Sequence, residues 1–266
     1  MIVIRTVAEL LAALEPARAR GAQIGLVPTM GALHDGHRSL MRTARDADEF
    51  AVVSLFVNPA QFGRGEDLDA YPRDEARDAD VAEAERVDLL FAPPVEEIYP
   101  DGYDTWVEPG KIATYLEGAA RPGHFRGVAT ICTKLFHLVE PGRAYFGRKD
   151  AQQVAVVKQL VRDLALPIEI VACPTVRDPD GLALSSRNVF LSPAERNVAL
   201  TLPRALEAGL AVHRSGGDAV RGAREILDGE PRLRVDYVAE ADLDGPTLAA
   251  AVVVGSTRLI DNVRLE

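Results

Sequence analysis

The chain is poor in cysteine and contains no long apolar segment. Its two cysteines, Cys132 and Cys173, lie in apolar surroundings without CxxC spacing. This usage argues against a disulfide framework or a zinc site and predicts buried, reduced thiols. No apolar segment approaches the roughly 20 residues that a membrane-spanning helix needs, so we expect no membrane partner. Two nucleotide-binding fingerprints are also missing, the dinucleotide GxGxxG and the P-loop GxxxxGK[ST].

The chain also has fewer basic than acidic residues. The chain has 30 basic and 40 acidic residues, which gives a net charge of −10. Proteins that bind nucleic acid usually present a basic face, so we expect no nucleic-acid partner. An anionic small molecule is still compatible with this charge, because exposed charges more than about 8 Å away are largely screened. Local groups of histidine, lysine and arginine therefore decide which ligand binds.

The first residues, MIVIRTVAELLAALE, pass from a short apolar run into acidic helical sequence. They have neither the basic start nor the small-residue cleavage site of a signal peptide. Together with reduced cysteines, this pattern predicts a cytoplasmic location.

Continuously apolar segments alternate with helical patterns through the first two-thirds of the chain. The five apolar segments are 23–27, 50–57, 87–92, 143–147 and 168–173. Such segments are typical of strands that are covered on both faces, as in a parallel sheet. Their alternation with helices predicts an α/β fold with a doubly wound, Rossmann-like parallel sheet. In such a sheet, ligands bind at the carboxyl ends of the strands.

The pattern changes in the last third, where helices precede three short strand-like segments. Ser192, Pro193 and Glu195 supply an N-cap, a proline at the first helical position and a capping-box partner. Helices followed by adjacent strands are typical of an α+β domain with an antiparallel sheet. We therefore predict a Rossmann-like domain over residues 1–175 and a smaller α+β domain over 176–266.

The first strand is followed directly by PTMGALHDGH, residues 28–37. At this position a helix start favours an anion through its backbone N–H groups and dipole, and the two glycines permit a tight turn. His34 and His37 are three residues apart, so both rings can project to one side and donate to phosphate oxygens. His37 can also pass a proton to a phosphoryl oxygen. In the alternative interpretation, Asp35 merely caps the helix and both histidines face solvent.

Polar side chains also follow two other predicted strands. After the second, Asn58 and Gln61 offer neutral amides that suit a hydroxyl or a carboxylate, unless they form an ordinary turn. After the fourth, Lys149 supplies a compact charge for phosphate. Asp150 can cap the next helix and Gln153 can face the crevice, unless this is simply a charged helix start in solvent.

Two loops complete the set of candidates. EGAARPGHFRGVATI concentrates Arg121, His124 and Arg126 with three glycines. It is either a basic loop over an anionic substrate or a plain surface loop. LALSSRN places two serines and Arg187 at the expected domain joint, where they can bind triphosphate, although such residues are common in loops.

The segments PTMGALHDGH, FVNPAQFGRGEDLDAYPR, FGRKDAQQ and GLALSSRN, in this order, closely resemble the pantothenate synthetase (pantoate–β-alanine ligase) family. The first segment also resembles the HxGH signature of the nucleotidyltransferase superfamily, which binds ATP at this turn. The resemblance runs from LVPTMG to TRLIDN. It implies ATP-dependent condensation of pantoate with β-alanine through a pantoyl adenylate, with diphosphate and AMP released in turn. It also implies a homodimer and Mg²⁺ that accompanies ATP, without a dedicated metal motif.

The same resemblance assigns residues to the substrates. The catalytic residues that it implies are His34, His37, Lys149 and Arg187, with His37 as proton donor. The residues that it implies for pantoate and β-alanine are Asn58, Gln61 and Gln153, with Asn58 in a supporting place. The ATP-binding residues that it implies are Met30, Gly31, Ala32, Leu33, His34, Asp35, Gly36, His37, Gly147, Arg148, Lys149, Asp150, Val176, Leu184, Ser185, Ser186 and Arg187.

The implied second step needs a dry site, because an acyl adenylate hydrolyses in water. The segment GRGEDLD, residues 63–69, or closure of the smaller domain is expected to serve as a lid. No covalent nucleophile is required, so Ser185 and Ser186 are interpreted as hydrogen-bond partners of phosphate.

Two positions depart from the family pattern, and two other functions stay open. Arg148 stands where the family usually has glutamate, and Ala151 where it usually has tyrosine.

The first alternative function is that of a nucleotidyltransferase that makes a dinucleotide or an activated alcohol. It does not explain why Gln61 and Gln153 would flank a carboxylate. A nucleotide-binding sensor without turnover gives no reason to keep Lys149 and both histidines.

Overall fold

The computed structural model of the chain describes residues 1–63 and 65–266. Arg64, part of the segment 63–69 that is expected to form a lid, lies outside the described residues. Among the described residues, none of the helices is both long and apolar enough to cross a membrane.

The chain divides into two compact units. The first unit comprises Met1–Gly147 and Gln153–Cys173, and the second comprises Arg148–Gln152 and Pro174–Glu266. The domains expected from the sequence, 1–175 and 176–266, stay predictions.

A six-stranded parallel sheet organises the first unit. Its strands are β1 (Ile2–Ile4), β2 (Ile24–Thr29), β3 (Phe50–Leu55), β4 (Leu89–Phe91), β5 (Arg143–Gly147) and β6 (Glu169–Cys173). Their order across the sheet is β1-β4-β3-β2-β5-β6, and every neighbouring pair is parallel. The chain runs from β2 outward to β4 and then returns to β5 on the other side of β2, so the strand order reverses at β2. Ligands bind at such a reversal in open α/β sheets.

Helices cover both faces of this sheet, which confirms the predicted doubly wound α/β fold. They are α1 (Val7–Ala19), α2 (Asp35–Ala47), α3 (Glu75–Ala84), α4 (Val95–Ile98), α5 (Glu117–Ala120), α6 (His124–Val139) and α7 (Ala151–Asp163). Alternate strand residues belong to different apolar clusters. Leu26 and Val52 pack in one cluster with residues of α1, α6 and α7, whereas Val27 and Val53 pack in another with α2 and α3. Burial on both faces explains why the strands are continuously apolar.

Both cysteines are buried and free, as the sequence predicts. Burial raises the pKa of the Cys132 thiol to about 12. Because the thiolate is the reactive form, this side chain is an inert part of the core.

An antiparallel sheet and three helices form the second unit, which confirms the predicted α+β class of this part of the chain. The helices are α8 (Pro193–Ala199), α9 (Thr201–Arg214) and α10 (Ala219–Asp228), and the strands are β7 (Leu233–Asp242), β8 (Pro246–Val254) and β9 (Thr257–Arg264). The strands are ordered β7-β8-β9, and both pairs are antiparallel. Ser192 caps α8 and forms the predicted capping box with Glu195.

Candidate active site

The segment between β2 and α2 is a tight turn, here called the histidine turn, whose helix cap is a histidine. His34 is the N-cap of α2, and its Nδ1 accepts a hydrogen bond from the N–H of Gly36 at 3.1 Å. In return, Nδ1 of His37 accepts from the N–H of His34 at 3.3 Å. The two rings are half-buried, with their centroids 4.1 Å apart. The alternative in which Asp35 caps the helix is wrong, because Asp35 is the first helical residue.

These hydrogen bonds fix the tautomer of both neutral rings. A ring nitrogen that accepts from a backbone N–H carries no proton, so His34 and His37 hold their proton on Nε2. In this tautomer Nε2–H is a donor, which is the group that a phosphate oxygen requires. The capping geometry therefore prepares two imidazole donors at the carboxyl end of β2.

A buried carboxylate from α3 holds the histidine turn. Asp78 is 1% exposed, and its two oxygens accept from the N–H groups of Ala32 and Leu33, each at 2.8 Å. The turn needs this support because Ala32 has a positive φ angle of 51°, which alanine disfavours, whereas Gly31 adopts its φ of 86° readily. A Cβ atom at Gly31 would lie 2.9 Å from Oδ2 of Asp78, so only glycine fits there. Arg77 also donates to the carbonyl of Leu33, at 3.2 Å.

Most backbone donors of the histidine turn are therefore already engaged. The N–H groups of Ala32, Leu33, His34 and Gly36 all have acceptors within the chain. Sequence reasoning expects backbone N–H groups to form the anion site at this turn. With these four in use, the donors that the turn offers an anion are chiefly the imidazole N–H groups, supported by the dipole of α2.

Beyond β3, Asn58 is buried, at 1% exposed, and uses all four of its side-chain hydrogen bonds. Its Nδ2 donates to Oε1 of Gln61 at 2.8 Å and to the carbonyl of Gly127 at 3.1 Å. Its Oδ1 accepts from the N–H of Ala60 at 3.2 Å and from the hydroxyl of Tyr99 at 2.9 Å. A primary amide has no further capacity beyond these four bonds. Asn58 therefore supports Gln61 rather than offering an atom of its own to a substrate.

The backbone carbonyl of Gln61 is held by the loop that the sequence singles out as basic. Nδ1 of His124 donates to it at 2.9 Å and the guanidinium of Arg121 at 3.2 Å. Arg121 also lies 3.3 Å from Nε2 of His124, which must accept because arginine only donates. The charge of Arg121 is balanced by Glu66 at 2.6 Å. These contacts make Arg121 and His124 parts of the wall that positions Gln61.

Burial, and then the nearby charge of Arg121, lower the pKa of His124 to about 4. The hydrogen bond to the carbonyl of Gln61 and the charges of Glu117 and Glu66 oppose this shift. Unfolded histidine titrates near pH 6.5, so between pH 6.5 and 4 the unfolded chain binds more protons than the folded one. The stability contributed by neutral His124 is complete above about pH 6.5 and is lost as the pH falls through that window. We expect the free energy of unfolding to decrease by about 3 kcal/mol across it. Urea denaturation at successive pH values measures this change.

A matched pair of variants isolates this titration. His124→Asn keeps an N–H donor for the carbonyl of Gln61 but removes the titrating ring, so the loss of stability toward pH 4 should become much smaller. His137→Gln, at an exposed position in the last turn of α6, should keep the full loss. An unchanged pH dependence in His124→Asn would contradict the assignment.

A cavity of about 350 Å³ opens beside the histidine turn in the first unit. Met30 and Gly31 line it from the turn and Pro59 from the segment after β3, and it also reaches Asp78. The rest of its wall is mostly apolar and consists of Leu55, Phe56, Val57, Leu68, Asp69, Pro72, Arg73, Asp74, Glu75, Ala92, Pro93, Pro94 and Val95. Its volume is in the range of small-molecule sites.

Gly147 ends β5, and Arg148–Asp150 form a single 3-10 turn that belongs to the second unit. Asn262 holds this turn by donating to the carbonyls of Arg148 and Lys149, both at 2.9 Å. The guanidinium of Arg148 donates to the side chain and carbonyl of Asp244 at 3.1 and 3.0 Å. Arg148 therefore links this turn to Asp244 within the second unit. The ammonium of Lys149 lies 3.7 Å from the carboxylate of Asp150.

The remaining predicted ATP-binding residues of the second unit are close to one another. The N–H of Leu184 donates to the carbonyl of Val176 at 3.0 Å. Ser186 begins a 3-10 turn that Ser185 caps, since its Oγ accepts from the N–H of Arg187 at 3.3 Å. Within the first unit, Gln153 lies half-buried in α7.

Comparison with known proteins identifies close relatives over the full length. Residues 2–264 match the family model described as pantoate-beta-alanine ligase. The chain is 54% identical to the pantothenate synthetase of Roseiflexus sp. (strain RS-1), with 100% of both chains covered. It is 50% identical to the pantothenate synthetase of Moorella thermoacetica, with 100% of this chain and 99% of that protein covered.

Solved structures agree with this comparison. The crystal structure of pantothenate synthetase from Thermus thermophilus has a TM-score of 0.95 and 48% identity, covering 100% of this chain and 99% of that one. The structure of pantoate-beta-alanine ligase from Francisella tularensis, complexed with beta-gamma ATP and beta-alanine, has a TM-score of 0.87 and 34% identity. It covers 100% of this chain and 98% of that one.

Proposed function

The chain belongs to the pantoate-beta-alanine ligase family, and from this premise we propose that it condenses pantoate with β-alanine in an ATP-dependent reaction. The observation that carries the proposal is the histidine turn. It sets two imidazole N–H donors at the carboxyl end of β2, where the strand order reverses and ligands of doubly wound sheets bind.

In the first proposed step, a carboxylate oxygen of pantoate attacks the α-phosphorus of ATP. The bond from that phosphorus to the bridging oxygen of the β-phosphate breaks, so diphosphate leaves and pantoyl adenylate forms. Negative charge grows on the leaving diphosphate during this step. His34 and His37 stabilise it through Nε2–H. For His37 to give a proton to a phosphoryl oxygen, its ring must first become imidazolium, which releases the hydrogen bond that its Nδ1 accepts from the N–H of His34.

In the second proposed step, the amine of β-alanine attacks the acyl carbon of the adenylate. An amide bond forms, the bond from that carbon to the phosphate oxygen of AMP breaks so that AMP leaves, and the nitrogen loses a proton to solvent. Gln61 and Gln153 bind pantoate through hydrogen bonds, with Gln61 also near β-alanine. Lys149 and the segment 184–187 are proposed as ATP contacts on the resemblance of their motifs to the family pattern. Neutral amides suit the pantoate site because they orient a carboxylate without neutralising the charge that makes it a nucleophile.

Mg²⁺ is proposed as the counter-ion that enters with ATP. Over residues 1–63 and 65–266, no group of three or more His, Cys, Asp or Glu side chains is arranged to hold a metal ion. In this proposal the phosphate oxygens of ATP bind the ion. A homodimer is a further proposal that rests on the family resemblance, and sedimentation equilibrium tests it. A cytoplasmic location is proposed because both cysteines are free thiols.

The purified protein should catalyse exchange of labelled diphosphate into ATP when pantoate and Mg²⁺ are present and β-alanine is absent. The reason is that adenylation of pantoate is reversible and precedes the amine. Exchange that depends on another acid would favour a different ligase, and ATP binding without exchange would favour a nucleotide sensor. Exchange that begins only after β-alanine is added would contradict the two-step order.

A further inference from the structure

The Gln61 side chain can present either of two faces to a ligand. Its NH₂ donates hydrogen bonds and its carbonyl oxygen accepts them, so the choice decides which substrate atoms it can hold. In this chain the choice follows from the contacts of Asn58.

Two backbone groups fix the orientation of Asn58, because a backbone N–H can only donate and a backbone carbonyl can only accept. Oδ1 faces the N–H of Ala60 at 3.2 Å, and Nδ2 faces the carbonyl of Gly127 at 3.1 Å. The opposite orientation would place donor against donor and acceptor against acceptor. The second hydrogen of Nδ2 is therefore directed to Oε1 of Gln61, at 2.8 Å. One lone pair of the Gln61 carbonyl oxygen is thus occupied inside the protein, and the NH₂ group is the donor that this side chain can present to the ligand.

Tyr99 supplies the last partner of this amide. Its hydroxyl donates to the second lone pair of Asn58 Oδ1 at 2.9 Å. The ring is held by Trp106, stacked at 5.9 Å, and by the edge of Tyr103 at 5.0 Å. Burial raises the pKa of Tyr99 well above its usual value, so the hydroxyl stays protonated and remains a donor. A donor at this point polarises the Asn58 amide and strengthens the bond from its Nδ2 to Gln61.

We propose that Tyr99 is a positioning residue that acts through Asn58 to hold the Gln61 amide with its NH₂ toward the pantoate carboxylate. Tyr99, Asn58 and Gln61 form a relay in which each donor meets one acceptor. This inference rests on the proposed function, since it concerns how that substrate is oriented. It assigns to Gln61 the part of donor to a carboxylate or hydroxyl oxygen of pantoate.

The kinetic test compares Tyr99→Phe with Tyr103→Phe, a matched control from the same aromatic cluster whose hydroxyl is not a partner of Asn58. In Tyr99→Phe we expect the KM for pantoate to rise about 3- to 10-fold, because one hydrogen bond of the relay is lost. The KM for ATP should stay within about twofold, and Tyr103→Phe should match the wild type. A Tyr99→Phe enzyme with an unchanged KM for pantoate would overturn the proposal.

A double variant separates positioning from general stability. In the Gln61→Ala background the relay has nothing to orient, so adding Tyr99→Phe should change the KM for pantoate no further. If Tyr99→Phe lowers activity by the same factor with and without Gln61, its effect does not pass through Gln61 and the relay is refuted.

A spectroscopic measurement tests the relay without turnover. The chain has four asparagines, so ¹⁵N-asparagine labelling gives four side-chain NH₂ groups. Those of Asn58 should exchange slowly with water, and Tyr99→Phe should shift them and speed their exchange, whereas Tyr103→Phe should not. Unmoved Asn58 signals in Tyr99→Phe would refute the relay. A wild-type protein with this behaviour but no pantoate-dependent exchange would refute the proposed function alone.

Discussion

Replacing His37 by alanine is expected to lower pantoate-dependent ATP–diphosphate exchange by about 10²- to 10⁴-fold while the fold is retained. The range is the usual contribution of a positioned proton donor. Alanine removes the Nε2–H donor, and it also removes the Nδ1 acceptor for the N–H of His34. Loss of that capping bond should decrease the free energy of unfolding by only about 1 kcal/mol. Exchange rates and urea denaturation on the same preparation separate the two losses.

His37→Gln distinguishes proton transfer from simple hydrogen bonding. Glutamine at this helical position is a natural capping-box partner, so it should restore the bond to His34 and with it the stability. Its NH₂ can donate to phosphate but cannot give up a proton at neutral pH. We therefore expect exchange to stay at least about 10²-fold below the wild type. Recovery of exchange in His37→Gln would mean that His37 acts only as a hydrogen-bond donor.

A histidine outside the candidate site provides the control for this pair. His137 lies exposed in the last turn of α6. His137→Ala should therefore leave both exchange and stability unchanged. A comparable loss in His137→Ala would show that the assay responds to something other than the histidine turn.

The fold is predictable from this sequence because its signals are local. Apolar segments predict five of the six strands of the parallel sheet, and the Ser192 capping box predicts the start of α8. β1 is not predictable in this way because it has only three residues, two of them exposed, so its sequence shows no pattern of buried residues. The helix that this capping box opens ends at Ala199, and a second helix, α9, begins at Thr201 without a side-chain cap. Neither difference changes the class of fold.

The candidate site is less predictable, because its supporting contacts join distant residues. The histidine turn is visible as a motif, whereas Asp78 reaches Ala32 across 46 positions and Tyr99 reaches Asn58 across 41. A single sequence offers only one hint of the first contact. Asp78 lies one turn before Val81 on α3, at a position where an apolar side chain is expected. A charge on a buried face of a helix indicates a partner, but not which one.

Asp78→Ala is expected to decrease the free energy of unfolding by about 2–4 kcal/mol and to lower exchange by at least about 10²-fold. The first effect arises because the N–H groups of Ala32 and Leu33 lose their acceptor, and an unpaired buried donor costs about 1–3 kcal/mol. The second arises because Ala32 has a positive φ angle that alanine disfavours, so without Asp78 the turn relaxes and the imidazoles lose their fixed position. Urea denaturation and the exchange assay measure the two effects.

Two isosteric variants on α3, Asp78→Asn and Asp80→Asn, test whether these losses come from the Asp78 carboxylate itself. Asp80 is exposed, so its variant should match the wild type. Asparagine at 78 keeps one acceptor but sets an NH₂ against the second backbone N–H, so it should lose stability and activity, though less than alanine does. Hydrogen exchange should then become faster at the backbone amides of Ala32 and Leu33 than at those of β2, because only the hydrogen bonds from Asp78 to the turn are weakened. If Asp78→Asn behaves like Asp80→Asn, the carboxylate does not hold the turn, and some other contact must fix the positions of the His34 and His37 rings.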